Sequence, residues 1–195
     1  MTDPEEMSRA VAALAAAFDA MSVRWAVGGS LASGAYGEPR ATNDIDVIAI
    51  LSEAQARELV ERLGDSFYAD AEAAVEAVRR RSSFNVIDKR SFIKLDVFVP
   101  APGPLGEGQL DRRVHLDFLP GMSPLPILGP EDVVLQKLRW FRLGGGVSER
   151  QWRDIVTVLR AMGKELDHAY LDTVGVDAGL GELLGRARID AASEV

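Results

Sequence analysis

The sequence predicts an α+β architecture, a mixed β-sheet flanked by helices over residues 1–125 with a helical C-terminal region, 126–195, packed on that core. Three observations carry this. Runs rich in β-branched residues at 23–27, 44–51, 84–87 and 92–99 alternate with stretches of helical period. Seven of the nine prolines fall within 100–130, which reads as loop with short strands such as 126–128. From Glu131 onward the texture is helix, loop, helix.

Asp3, Pro4 and Glu6 have the order of an N-cap, a first-turn proline and a capping-box acid. Behind them Met7, Val11, Leu14 and Phe18 recur at helical spacing and predict a helix over 4–20. Residues 23–27 form a short apolar strand ending at Gly28-Gly29, after which Ser30 can cap a short helix to about Tyr36. Residues 37–43 (GEPRATN) have the composition of a loop, and 44–51 (DIDVIAIL) that of a strand. Ser52 and Gln55 fit a capping box that opens a helix to about Leu63, and a further helix covers 70–80. The strands at 84–87 and 92–99 are joined by the polar turn Asp88-Lys89-Arg90. After the helix 131–143 come Gly144-Gly145-Gly146, then a helix to about Met162 capped by Ser148, then two shorter helical segments.

A chain of 195 residues is long enough to bury its own core without staples. The absence of cysteine excludes a disulfide framework, a thiolate metal site and a cysteine nucleophile. The acidic N-terminus lacks the order of a signal peptide, and no stretch reaches the roughly 18 apolar residues of a membrane span, so a cytoplasmic setting is expected. Twenty-two basic against thirty acidic residues give a net charge of -8, which argues against broad duplex binding. Arg79-Arg80-Arg81 and the group Lys137, Arg139, Arg142, Arg150 and Arg153 are either local basic patches or solvated helix faces.

Asp44 and Asp46 are the most informative residues. Two residues apart in a strand, their side chains project from one face about 6.6 Å apart. Two carboxylates on one face of an apolar strand repel and lose hydration, so they need compensation. Either they lie hydrated at a sheet edge or they hold cations, for which Mg²⁺ is the natural choice because it takes carboxylate oxygens and keeps positions open for phosphates. Asp96, between Leu95 and Val97, brings a third carboxylate in a strand pattern. Three such groups suffice for a pair of metals about 3.5–4 Å apart that clamp an in-line displacement.

Gly28-Gly29-Ser30 stands where a strand hands over to a helix. Glycines there admit close approach of a ligand to the backbone, and the free amides of a helix start favour phosphate. Neither a Walker loop nor Rossmann spacing is present.

Taken together, Gly28-Gly29-Ser30, Arg40-Ala41-Thr42-Asn43-Asp44-Ile45-Asp46 and Leu95-Asp96-Val97 resemble the nucleotidyltransferase superfamily, the DNA polymerase β-like fold. Pro130-Glu131-Asp132, Lys137-Leu138 and Arg150-Gln151-Trp152-Arg153-Asp154-Ile155 look like the C-terminal motif of its AbiEii group, which includes toxins of toxin–antitoxin systems. The resemblance spans about residues 23–155. It implies transfer of a nucleoside monophosphate from an NTP to an acceptor hydroxyl on tRNA, a protein or a small molecule such as an aminoglycoside, with an antitoxin as a further partner. Asp44, Asp46 and Asp96 would hold Mg²⁺, Asp96 also helping to activate the acceptor. Gly28, Gly29, Ser30, Arg40, Thr42 and Lys137 would form the nucleotide-binding set. Arg40 could reach the triphosphate or bridge carboxylates, and Lys137 could face phosphate or solvent. Arg150 and Asp154, one helical turn apart, could pair and prop the site.

His115 and His168 lack paired ligand spacing, so no zinc site is expected. Trp140, Phe141 and Trp152 read first as core packing and second as base-stacking surfaces. The alternative to an active transferase is a binding module that keeps the fold, but such a module has no need of three close negative charges.

Overall fold

A computed structural model describes residues 4–42 and 44–193. Asp3, read above as a helix cap, and Asn43 lie outside the described residues. The chain runs α1 (Pro4–Ala20), β1 (Trp25–Val27), α2 (Gly29–Tyr36), β2 (Asp44–Ala49), α3 (Glu53–Leu63), β3 (Phe67–Ala69), α4 (Ala71–Arg80), β4 (Ser83–Asp88) and β5 (Lys94–Phe98). It continues through a 3₁₀ turn (Glu107–Asp111), β6 (Val114–Leu116), β7 (Leu125–Ile127), α5 (Pro130–Leu143), α6 (Glu149–Met162), α7 (His168–Asp177) and α8 (Gly181–Ser193). Among the described residues no helix is long and apolar enough to cross a membrane.

The strands form one sheet in the order β3-β4-β5-β2-β1-β7-β6. β2 with β5 and β1 with β7 are parallel, while the other pairs are antiparallel, so the sheet is mixed as expected. The periodic residues of α1 do what their spacing demands: Met7, Val11, Leu14 and Phe18 are all buried. Each large apolar side chain so buried contributes about 1.5–3 kcal/mol relative to exposure. The capping box of α3 is present with both bonds, Gln55 N–H to Ser52 Oγ at 3.2 Å and Ser52 N–H to Gln55 Oε1 at 3.0 Å. Asp70 caps α4 and Ser148 caps α6 in the same manner.

Four local expectations are corrected. Ser30 does not cap α2: the cap position is Gly28, and Ser30 is already inside the helix. β5 starts at Lys94 rather than 92, because Phe92 turns the chain with φ +58 and an 80% exposed ring. The strand anticipated at 126–128 is β7, shifted back by one residue. β3 and β6 were not anticipated; each is three residues long, too short for a period-2 pattern to declare itself.

The helices of the C-terminal part pack on one another and on α2. α5 packs on α6, α6 on α8, and α2 packs on both α5 and α6. Phe141 and Trp152 join α5 to α6 with ring centroids 4.9 Å apart, as core residues should. The Glu131-Asp132 pair at the start of α5 is buried and tied outward. Glu131 Oε1 accepts the Asp167 N–H at 2.7 Å, Asp132 Oδ1 accepts the Tyr170 hydroxyl at 2.7 Å, and Arg112 lies against both acids. Burial pushes the Asp132 carboxyl up to about 6 despite the Tyr170 hydrogen bond and Arg112.

Candidate active site

The parallel pairing of β2 with β5 aligns Asp46 with Asp96 and Asp44 with Lys94. Alternation along each strand puts all four side chains on one face, while Ile45, Val47, Leu95 and Val97 point into the core. The two short sequences Asp-Ile-Asp and Lys-Leu-Asp are thus laid side by side. Lys94 Nζ lies 2.8 Å from Asp96 Oδ2 and 3.5 Å from Asp44 Oδ1, so an ammonium sits between two of the three acids. The hydrogen bond to Asp96 is the main influence holding Lys94 above the ordinary lysine value. Sequence reasoning missed Lys94, although it lies two residues before Asp96 and so had to share its face.

Asp46 is the acid in deficit. Burial raises its pKa first, the Asp96 charge raises it further, and Lys137 only partly opposes this. The turn before α2 is pressed onto it. Gly29 has φ +57, and a Cβ there would fall 1.7 Å from Asp46 Oδ2. A glycine is therefore required twice over at this position, by backbone conformation and by contact. The Gly28 N–H donates to the Asp46 carbonyl at 2.9 Å, which locks the turn to the strand that carries the acids.

Two cations, one from the loop before β2 and one from α5, are gathered by a carboxylate farther along the chain. Asp154, buried on α6, accepts from Lys137 Nζ at 2.7 Å and from Arg40 Nε at 3.2 Å. Arg40 also donates to the hydroxyl of Ser30. The expected Arg150–Asp154 support is thus replaced: Asp154 orients Lys137 and Arg40, and Arg150 is exposed. Lys137 is only 7% exposed, so it is not a solvated helix lysine. A buried carboxylate with two cationic partners leaves net positive charge facing outward from the network.

A cavity of about 1070 Å³ collects these groups. Gly28, Gly29, Ser30, Arg40, Asp46 and Lys137 line one end of it. Asp44 and Asp96 adjoin it through the register of β2 and β5, with Lys94 joining them. Thr42 stands outside the lining; its hydroxyl donates to the Asp44 carbonyl at 2.9 Å and shapes the start of β2. Of the basic residues, Arg79 and Arg80 are spent on surface pairs with Glu53 and Glu76, whereas Arg81, Arg139 and Arg150 line the cavity. His115 and His168 are exposed and lie on separate elements, β6 and α7.

By donor type the acids suit a divalent cation. They present hard carboxylate oxygens, one of them buried and short of positive charge, beside a glycine turn that can face phosphate. Among the described residues no three His, Cys, Asp or Glu side chains close on a single point, and Lys94 takes the place between Asp44 and Asp96.

Comparison with known proteins agrees with the fold. The antibiotic-resistance factor ANT(2'')-Ia has a solution structure that superposes with TM-score 0.63 at 13% identity, covering 94% of this chain and 99% of that one. The lincomycin-bound lincosamide antibiotic adenylyltransferase LnuA gives TM-score 0.52 at 15% identity, covering 80% and 96%. An antigenic nucleotidyltransferase-like protein from Paracoccidioides brasiliensis gives 0.52 at 15%, covering 92% and 91%. At these identities the likeness is one of fold. No curated protein matches the sequence. The family described as "Nucleotidyl transferase AbiEii toxin, Type IV TA system" matches residues 12–188, most of the chain. The chain belongs to this AbiEii family and is a nucleotidyltransferase enzyme.

Proposed function

We propose that the enzyme moves a nucleoside monophosphate from an NTP to an acceptor hydroxyl with Mg²⁺ as cofactor. The observation that supports this best is the single cavity end where the glycine turn, Asp46 and the Lys137–Asp154–Arg40 network meet. Asp44, Asp46 and Asp96 hold the metal, which supplies charge neutralisation at the reacting phosphate. The Gly28-Gly29 turn and the first amides of α2 cradle the triphosphate, with Ser30 held ready by Arg40. Lys137 and Arg40, fixed by Asp154, balance the phosphate charge. Asp96 accepts the proton as the acceptor oxygen bonds to the α-phosphorus, and the bond to the β-phosphate oxygen breaks to release pyrophosphate. Thr42 supports this set through the backbone at Asp44.

The division at residue 125 is in this reading a functional one. The acids and glycines come from 1–125, and Lys137 and Asp154 come from the helical 126–195 that closes over them. The family description supports a toxin role with an antitoxin as partner; the cytoplasm as its setting, and tRNA, protein and small molecules as the acceptor classes, belong to the proposal. The two neighbours above that carry antibiotic names make a small-molecule acceptor part of the same test. Each of four labelled NTPs with Mg²⁺ is incubated with total tRNA, with protein extract and with an aminoglycoside. Label should pass to one acceptor class, and Asp96→Asn should abolish it. A parent enzyme inert toward every combination would refute the reading.

A further inference from the structure

The cavity also has an apolar part, which begins beside the glycine turn: a Cβ on Gly28 would lie 3.4 Å from Leu128 and 3.8 Å from Ile48. Ile48 and Phe98 are register partners two residues beyond the Asp46–Asp96 pair, on the same face of β2 and β5. That displacement is about 6.6 Å along the sheet. Leu128 and Val133 line the same cavity. Trp140 stands against Phe98, with ring centroids 5.9 Å apart and planes tilted by 57°. It lies three residues after Lys137 on α5, so the phosphate cation and the indole share one helix face.

The other two tryptophans show what a structural tryptophan looks like here. Trp25 packs on Phe18 and donates its indole N–H to Asp19 at 3.4 Å. Trp152 packs on Phe141 and donates to Asp190 at 2.9 Å. Trp140 is different: it is 48% exposed, lines the cavity, and has no acceptor for its N–H among the described residues. One side of its ring is anchored by Phe98 while the side chain keeps a large open area. Arg81, Ser83 and Arg139 line the cavity as well, so the Phe98–Trp140 pair is an aromatic surface in a polar setting, two residues along the strands from the acids, and suits a flat π system attached to a phosphate chain.

We infer that Trp140, seated on Phe98, is the platform on which the base of the bound NTP stacks. The inference rests on the nucleotidyl-transfer reading of the phosphate end and adds the subsite that recognises the rest of the nucleotide. Stacking on an indole is tolerant of base identity, because every base presents a π face. The platform therefore serves affinity and alignment of the α-phosphorus more than choice among bases.

The test separates base from phosphate. Binding of ATP and of inorganic tripolyphosphate, each with Mg²⁺, is measured calorimetrically for the parent, Trp140→Ala and Trp140→Phe. The half-exposed position makes both variants compatible with folding, and a melting curve checks this. Loss of one stacking partner should weaken ATP by ~5-fold to ~150-fold in Trp140→Ala. Tripolyphosphate affinity should stay at the parent value, and Trp140→Phe should recover most of the ATP loss. If tripolyphosphate binds while ATP affinity is the same in the parent and Trp140→Ala, the platform is overturned and the phosphate site stands. If ATP and tripolyphosphate weaken equally, Trp140 supports the phosphate end and the platform is again overturned. If the parent binds neither, the nucleotidyl-transfer reading falls and takes the platform with it.

Discussion

Gly29→Ala tests the contact on which the candidate site is built. The new Cβ would lie 1.7 Å from Asp46 Oδ2, 2.5 Å from its Cγ and 2.7 Å from its Cβ. All three distances are below any real non-bonded contact, so the Asp46 side chain or the turn must move by an ångström or more. Two costs combine. A non-glycine residue at φ +57 costs about 1–3 kcal/mol, and overpacking a buried contact adds about 1–3 kcal/mol. Gly64 provides the control, because it has the same φ of +57 and a Cβ added there would meet nothing within 4 Å. Gly64→Ala should therefore lose only the backbone part, measured by urea unfolding, and keep full transfer activity. Gly29→Ala should lose both parts, about 2–6 kcal/mol in all. Its transfer rate should fall by about 100-fold, since a 1 Å misplacement at a reacting centre costs on that order. In an Asp46→Ala background the two nearest atoms are gone, and the cost of Gly29→Ala should drop toward that of Gly64→Ala. If Gly29→Ala is as stable and as active as Gly64→Ala, the turn does not constrain Asp46 and the reasoning fails.

Three further outcomes are expected. Asp46 has a pKa raised by burial and by Asp96, so its ionisation opposes folding: stability is greatest at low pH and declines as pH rises through the folded value. Asp46→Asn should melt at or above the parent in EDTA near pH 7.5 while losing transfer; a much lower melting temperature would mark Asp46 as a structural residue. Asp132 follows the same sign, its contribution present below 3.8 and gone above about 6. The unfolding free energy of Asp132→Asn relative to the parent should rise between pH 4 and pH 7, and a pH-independent difference would contradict the assignment. Lys94 is paired with Asp44 and Asp96, so in the proposed reading it would compete with a divalent cation for them. Removal of this half-exposed ammonium in Lys94→Ala should tighten Mn²⁺ binding by ~2-fold to ~5-fold, read by calorimetry, and unchanged or weaker binding would refute the competition.

Much of the scaffold was legible because the relevant interactions are local. The spacing of Met7, Val11, Leu14 and Phe18, and the Ser52–Gln55 box, each commit a segment through residues three or four apart. The same-face placement of Asp44 and Asp46 follows from strand geometry alone. What was not legible depends on pairing across the chain. The alignment of Asp46 with Asp96 is a parallel register between strands fifty residues apart, and no local pattern encodes it. Arg150 looked like the partner of Asp154 because helix spacing allowed it, yet burial brought Lys137 and Arg40 there instead. Trp140, Phe141 and Trp152 looked alike in sequence. The sheet beneath α5 separated them, leaving Trp140 over a cavity and Phe141 in the core.

The Arg40–Asp154 bond also has a consequence for how the enzyme is born. The two residues are 114 positions apart, so on a ribosome adding about 5–20 residues per second the arginine waits roughly 6–23 s for its carboxylate. Lys137 waits a shorter time for the same group, 17 positions ahead. Once β5 is made the glycine turn and the three acids are present, while Arg40 is still without the carboxylate that orients it. A chain that stops between β5 and α6 carries Asp44, Asp46 and Asp96 but lacks the carboxylate that orients Arg40, so in the proposed reading it holds the acids without a fixed phosphate clamp.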